Sequence, residues 1–184
     1  MKKQYGEVIP GLKIHGEDAP YGVVNEREIR AAAGTMFLFG ILVFFYTLWS
    51  RDFTLMMILI PVFWLEFFLK TVFQPSYSLF GIFGRVFTSN QEPEYVGAIQ
   101  KRFAWGIGLL LATIMVVGAV LGGVRGMLPF SICTLCLFLM WLESTMGICL
   151  GCKMYGMLIH LGWLKRPEIQ PACPGGVCRL DAKR

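Results

Sequence analysis

Six cysteines fall into three short pairs: Cys133/Cys136 and Cys149/Cys152 have the Cys-x-x-Cys spacing, and Cys173/Cys178 has four residues between. On a helix a spacing of three puts both thiols of a pair on one face, close enough to share a metal ion or, with some unwinding at a helix end, to close a disulfide. The first two pairs cannot share a metal if they lie on one continuous helix, because their sixteen-residue offset then separates them by roughly 24 Å. Two readings follow. In the first, Cys149, Cys152, Cys173 and Cys178 bind zinc or an iron–sulfur centre in a ribbon-like site closed by the tail. In the second, Cys149/Cys152 is a reactive dithiol that takes up electrons or sulfane sulfur, the CPGGVC tail is an exchange partner, and Cys133/Cys136 is a relay. Exchange needs an accessible sulfur of low pKa, and Lys153 stands beside the Cys149/Cys152 pair. A helix ending at that pair would raise the thiol pKa and oppose the second reading. The simplest use of either pair is packing, since Cys is a small and frequently buried residue.

Three ionisable residues sit in otherwise apolar surroundings: Glu66, Lys70 and Glu143. Inside a bilayer each costs several kcal/mol unless paired. Glu66 and Lys70 are four apart and are expected to pair. Glu66 and Glu143 reach similar depths along their helices, which suggests one polar pocket beneath Cys149/Cys152, where a carboxylate accepts a thiol proton. The competing role is an interhelical hydrogen bond that fixes packing. His15 and His160 are lone histidines, and no phosphate loop, zinc-protease motif or nucleophile elbow is present.

The elements that must position these residues are membrane helices. At 55% hydrophobic and 16% charged residues in a chain of 184, the composition excludes a disordered tail and an ordinary water-soluble enzyme. Asn25 followed by Glu28 has capping-box spacing, so a helix is expected from Glu26. Residues 31–50 contain no charge and are long enough to cross a hydrocarbon core of about 30 Å. Arg51-Asp52 makes a turn in which Asp52 caps the next span, residues 53–73, with a kink at Pro61. Residues 74–102 read as an interfacial segment and a loop. Residues 103–124 form a third span, with Gly118 and Gly122 at a spacing that admits a close neighbour. A fourth span starts near Met127, carries Glu143 and runs to about Cys149. An amphipathic helix and a Pro/Gly-rich tail follow. The reading is an all-α integral membrane protein with four transmembrane helices. Its parts are residues 1–30, a membrane domain over 31–164 with a middle loop at 74–102, and a Cys-containing tail over 165–184.

Of the 17 Lys and Arg residues, 15 fall in the two terminal segments and the middle region, against Arg51 and Arg125 in the short turns. This bias places both termini and the middle loop in the cytoplasm. Trp49, Trp105 and Trp163 near span ends read as interfacial anchors. The formal charge of +5 is not arranged as a basic stripe interleaved with stacking aromatics, so nucleic acid is not expected as a partner. The first 30 residues lack the apolar run of a secretion signal, and a secreted disulfide scaffold is not expected either.

The stretches KRFAWGIG (Lys101 to Gly108) and GICLGCKMY (Gly147 to Tyr155), with VNEREIRAAAG ahead of the first span, resemble the signatures of a bacterial membrane family catalogued as domain of unknown function 4395. The resemblance covers roughly residues 20–160, implies a small polytopic protein of the bacterial inner membrane, and transfers no activity. Cys149, Cys152 and Tyr155 are its signature positions, and the tail with Cys173 and Cys178 lies outside it. The residues themselves lead to a working expectation. Cys149 and Cys152 exchange electrons or sulfur at the cytoplasmic face, with Glu143 or Glu66 moving protons and a thioredoxin-like or sulfurtransferase-like partner. The alternatives are the four-cysteine metal module and a homo-oligomeric transporter of a sulfur-containing anion, assembled through Gly118 and Gly122.

Overall fold

The computed structural model describes residues 5–14, 17–18 and 20–164. A hairpin of β1 (Lys13–Ile14) and β2 (Glu17–Asp18) precedes β3 (Val23–Asn25), which runs directly into α1 (Glu26–Ser50). After α2 (Thr54–Val72) come a 3-10 turn, the short helix α3 (Leu79–Thr88) and β4 (Tyr95–Gly97). The chain then enters α4 (Ala98–Met115), extended by a π-helical segment (Val116–Leu121), and α5 (Met127–Trp141), extended by another (Leu142–Met146). A final helix, α6 (Leu150–His160), closes the described part. Among the described residues four helices are long and apolar enough to cross a membrane: α1, α2, and α4 and α5 with their extensions.

The expected start of α1 is observed. The Asn25 side chain accepts from the Arg27 amide at 3.2 Å and donates to Glu28 at 3.0 Å. Its oxygen also accepts from the Glu94 amide at 3.2 Å, so the cap ties two distant segments together. β3 and β4 pair antiparallel with Val24 opposite Val96 and Asn25 opposite Tyr95. Each strand leads straight into a long helix, so this two-stranded clamp sets the starts of α1 and α4 side by side. Buried Val24, Ile29, Val96, Ala98 and Trp105 pack beneath it.

At the other end of the bundle, Arg51 closes α1 in the left-handed conformation, with φ 58° and its amide on the Thr47 carbonyl. Phe53 rather than Asp52 is the N-cap of α2; Asp52, one residue earlier, accepts from the Thr54 amide at 2.9 Å and the Thr54 hydroxyl at 2.7 Å. The helix α2 continues through Pro61. In the middle region α3 turns small residues inward: a Cβ on Gly84 would stand 2.4 Å from the Glu28 carbonyl oxygen, so α1 and α3 touch backbone to backbone there. Its outer face shows Ile82, Phe83, Val86 and Phe87, the surface an interfacial helix presents to lipid.

Three expectations need correction. Trp105 is buried in the core, with the Lys70 ammonium 5.6 Å from its ring centre, while Trp49 and Trp163 are exposed. Gly118 meets nothing within 4 Å among the described residues, and Gly122 lies past the π segment and folds back against the Gly118 carbonyl. No described helix therefore uses the Gly118/Gly122 spacing within the chain. The fourth span does not run on to Cys149: the π segment stops at Met146, and Gly147 adopts φ 66°, reversing the chain into a new helix. An αL glycine is the commonest way to end a helix, because only glycine takes that conformation without a Cβ penalty.

Candidate functional site

The break at Gly147 makes Cys149 the N-cap of α6. Its sulfur accepts from the Cys152 amide at 3.4 Å and from the Cys152 thiol at 2.8 Å. Both cysteines are free and buried, at 6% and 2% exposure. The hydrogen bond from Cys152 holds the Cys149 thiol below the usual thiol range against burial and the Glu143 carboxylate, which push it up, while the ammonium of Lys101 acts with the hydrogen bond. Donating that bond, together with burial, pushes the Cys152 thiol up. The expectation of a helix C-terminus is thereby reversed, since the free amides at a helix start favour a thiolate and the carbonyls of a helix end oppose it.

Beside this pair lies a charge cluster that sequence reasoning missed. Lys101, on the first turn of α4, is fully buried, and its Nζ lies 3.0 and 2.8 Å from the two carboxylate oxygens of Glu26 and 2.8 Å from Oε1 of Glu143. Glu26 is the first residue of α1 and 2% exposed, while the Glu143 side chain is 19% exposed. The clamp of β3 and β4 is what places Glu26 opposite Lys101. Close packing of α6 on α4 adds the cysteines: a Cβ on Gly151 would lie 2.5 Å from that of Ala104, and Ala104 is three residues from Lys101, on the same face of α4. The Phe103 and Tyr155 rings meet at 5.5 Å along this contact. Arg30 of α1 donates to the carbonyls of Ser144 and Thr145 at 3.4 and 3.2 Å, fixing the chain just before the break.

Glu66 and Glu143 do not share a pocket. Glu66 pairs with Lys70 at 2.6 Å as expected, but its remaining bonds come from the Ser78 hydroxyl and from the amides of Leu79 at 2.7 Å and Phe80 at 3.3 Å. It therefore serves the start of α3, whose unpaired amides need an acceptor. Cys133 and Cys136 lie apart from both networks, on an apolar cavity of about 70 Å³ with Gly40, Met56 and Phe63. A larger cavity of about 790 Å³ opens between α1, α2 and α3 and includes Lys70, Arg85 and Trp105 but none of the described cysteines. His160 is exposed. His15, Cys173 and Cys178 lie outside the described residues. Among those described, no cluster of three or more His, Cys, Asp or Glu side chains has the arrangement of a metal site. The Lys101 ammonium acts on Cys149 and Cys152, and the Glu143 carboxylate acts on both with the opposite sign.

The signal for this site was present in the sequence as three separate stretches. VNEREIRAAAG supplies Glu26, KRFAWGIG supplies Lys101, and GICLGCKMY supplies both cysteines; the fold brings them to one place. No curated protein matches the chain, and no solved structure does. One family does match, over residues 24–160, a region that takes in the whole cluster and all four long helices. The chain belongs to the family described as Domain of unknown function (DUF4395).

Proposed function

We propose that this is a bacterial inner-membrane protein that exchanges thiol electrons or sulfane sulfur through Cys149 and Cys152 at the cytoplasmic face, with a thioredoxin-like or sulfurtransferase-like protein as partner. The observation that carries the reading is Cys149 at a helix start, holding a hydrogen bond from the Cys152 thiol at 2.8 Å. A helix N-terminus and a neighbouring cation are the two environments that make a cysteine nucleophilic, and a second thiol three residues on supplies the resolving group. The cytoplasmic orientation is supported by the charge bias of 15 against 2, because the starts of α1 and α4 and the ends of α2 and α5 share the positively charged side. Both sulfurs are buried, so a folded partner reaches them when α6 moves away from α4.

The test is a thiol census on anaerobically purified protein, with and without reductant, alongside metal content. The reading expects Cys149 and Cys152 to be alkylated fully only after reduction, about two thiols per chain, with no stoichiometric metal. Cys149→Ser and Cys152→Ser should each trap a mixed disulfide or remove exchange with a small disulfide substrate. One metal ion per chain with these cysteines shielded, or two permanently free and inert thiols, overturns it.

A further inference from the structure

We propose that Lys101, held between Glu26 and Glu143, is the positioning cation of the Cys149/Cys152 dithiol, and that Glu143 receives the proton Cys149 gives up. This rests on the dithiol reading above and adds a route for the proton and a role for a buried lysine that otherwise has none beyond packing.

Charge balance leads to the assignment. With Lys101 protonated and both carboxylates ionised, the cluster already carries one excess negative charge. A thiolate on Cys149 would make the excess two, and unbalanced charge in a site shut off from water costs several kcal/mol. Moving the thiol proton to a carboxylate leaves the total unchanged. The two carboxylates are not equivalent receivers. Glu26 is sealed from water at 2% exposure: both oxygens lie within 3.0 Å of Nζ, but only Oε1 takes its hydrogen bond and Oε2 is buried without one. Glu143 offers Lys101 one oxygen at 2.8 Å, its other oxygen has no partner among the described residues, and its 19% exposure gives the proton an outlet to water. Lys101 keeps its place on Glu26 and acts on the thiolate through its charge.

The full exchange closes on both atoms and electrons. Cys149 passes its proton to Glu143, and the thiolate attacks a partner disulfide, forming a mixed disulfide and expelling one partner thiolate. That thiolate takes a proton from Glu143. Cys152 next gives its proton to the same carboxylate and attacks the Cys149 sulfur, closing the internal disulfide. The second partner thiolate leaves and is protonated in turn. The protein dithiol is oxidised by two electrons, the partner disulfide is reduced to two thiols, and Glu143 returns to its starting state. The other charged or titratable groups around Cys149 are few: Lys153 on α6 is exposed, Arg30 on α1 is committed to the Ser144 and Thr145 carbonyls, and Tyr155 faces Phe103.

The experiment measures the alkylation rate of Cys149 against pH in the full-length reduced protein, resolved from the other cysteines by peptide mass spectrometry. The opposite signs of Lys101 and Glu143 make it decisive. Lys101→Met combined with Glu26→Gln, which leaves the net charge of the cluster unchanged but removes the cation that acts on Cys149, should move the midpoint up by about one pH unit or more. Glu143→Gln, which removes a negative charge, should move it down, and Lys101→Arg should restore most of the wild-type profile. Shifts of the same sign, or none, overturn the proposal, as they would if these residues only held the fold. Should the double variant fail to fold, Glu143→Gln decides alone: an acidic shift supports the proposal and an alkaline or absent shift refutes it. Turnover with a small disulfide is read separately, so opposite shifts without turnover would keep the charge assignment and discard the exchange reading.

Discussion

Glu66 is buried near the end of α2 but serves α3. It accepts from Lys70, Ser78 and two amides at the start of α3, so losing its charge removes a salt bridge and weakens a helix cap together. Glu66→Gln should cost about 3–5 kcal/mol, the range for breaking one side of a buried pair. Lys70→Met should cost less, because three donors would still face the carboxylate. Thermal unfolding of the variants in one detergent checks this, and a larger loss for Lys70→Met would contradict it. The pairing of Glu66 with Lys70 was legible from their spacing. The cap was not, because nothing local in the sequence reveals that the chain turns back and starts a helix against Glu66. Lys101 was hidden for a different reason. A lysine at the first turn of a membrane span reads as one that extends its ammonium to the interface, and only the pairing of β3 with β4 shows that a carboxylate waits there instead.

Among the elements, the spans were legible to within a few residues at most ends, since an uncharged apolar run of that length has few other uses. The start of α4 lies five residues earlier than the expected 103, because Lys101 and Arg102 belong to the helix rather than to a loop. The junction between α5 and α6 was legible in outline, since a separate helix is expected after about Cys149, but its break at Gly147 was not. The apolar pattern continues through Ile148 and Leu150 with no proline, and a lone glycine in such a run gives only a weak stop signal. Yet that glycine decides the chemistry, because it turns Cys149 from the end of one helix into the start of another. The seating of α6 can be tested at Gly151. Gly151→Val would drive a side chain into Ala104 and should destabilise by about 1–3 kcal/mol. Alkylation of Cys152, 2% exposed in the parent, should accelerate as α6 lifts away. Adding Ala104→Gly to a milder Gly151→Ala should recover part of the loss; a strictly additive pair would show that the two residues are not in contact.

At the scale of the whole molecule, the charged networks gather at one end of the bundle and the other end holds two short turns. A reporter fused after Arg184 should be active in the cytoplasm, and one inserted at the Arg125-Gly126 turn should be active outside. The reverse result would invert the orientation and remove the cytoplasmic exchange reading with it. The cluster around Lys101 also bears on how the protein is made. Helices enter the bilayer in the order of synthesis, and until it is paired the Lys101 ammonium extends to the interface and leaves α4 unseated against α1. Glu26, on α1, is in place before α4 emerges, so the lysine meets its first partner at once. Glu143 arrives a full span later. A chain halted before α5 should therefore already hold α1 and α4 together, whereas replacing Glu26 by Gln should leave α4 waiting for its counter-charge and exposed to membrane proteases until α5 is complete.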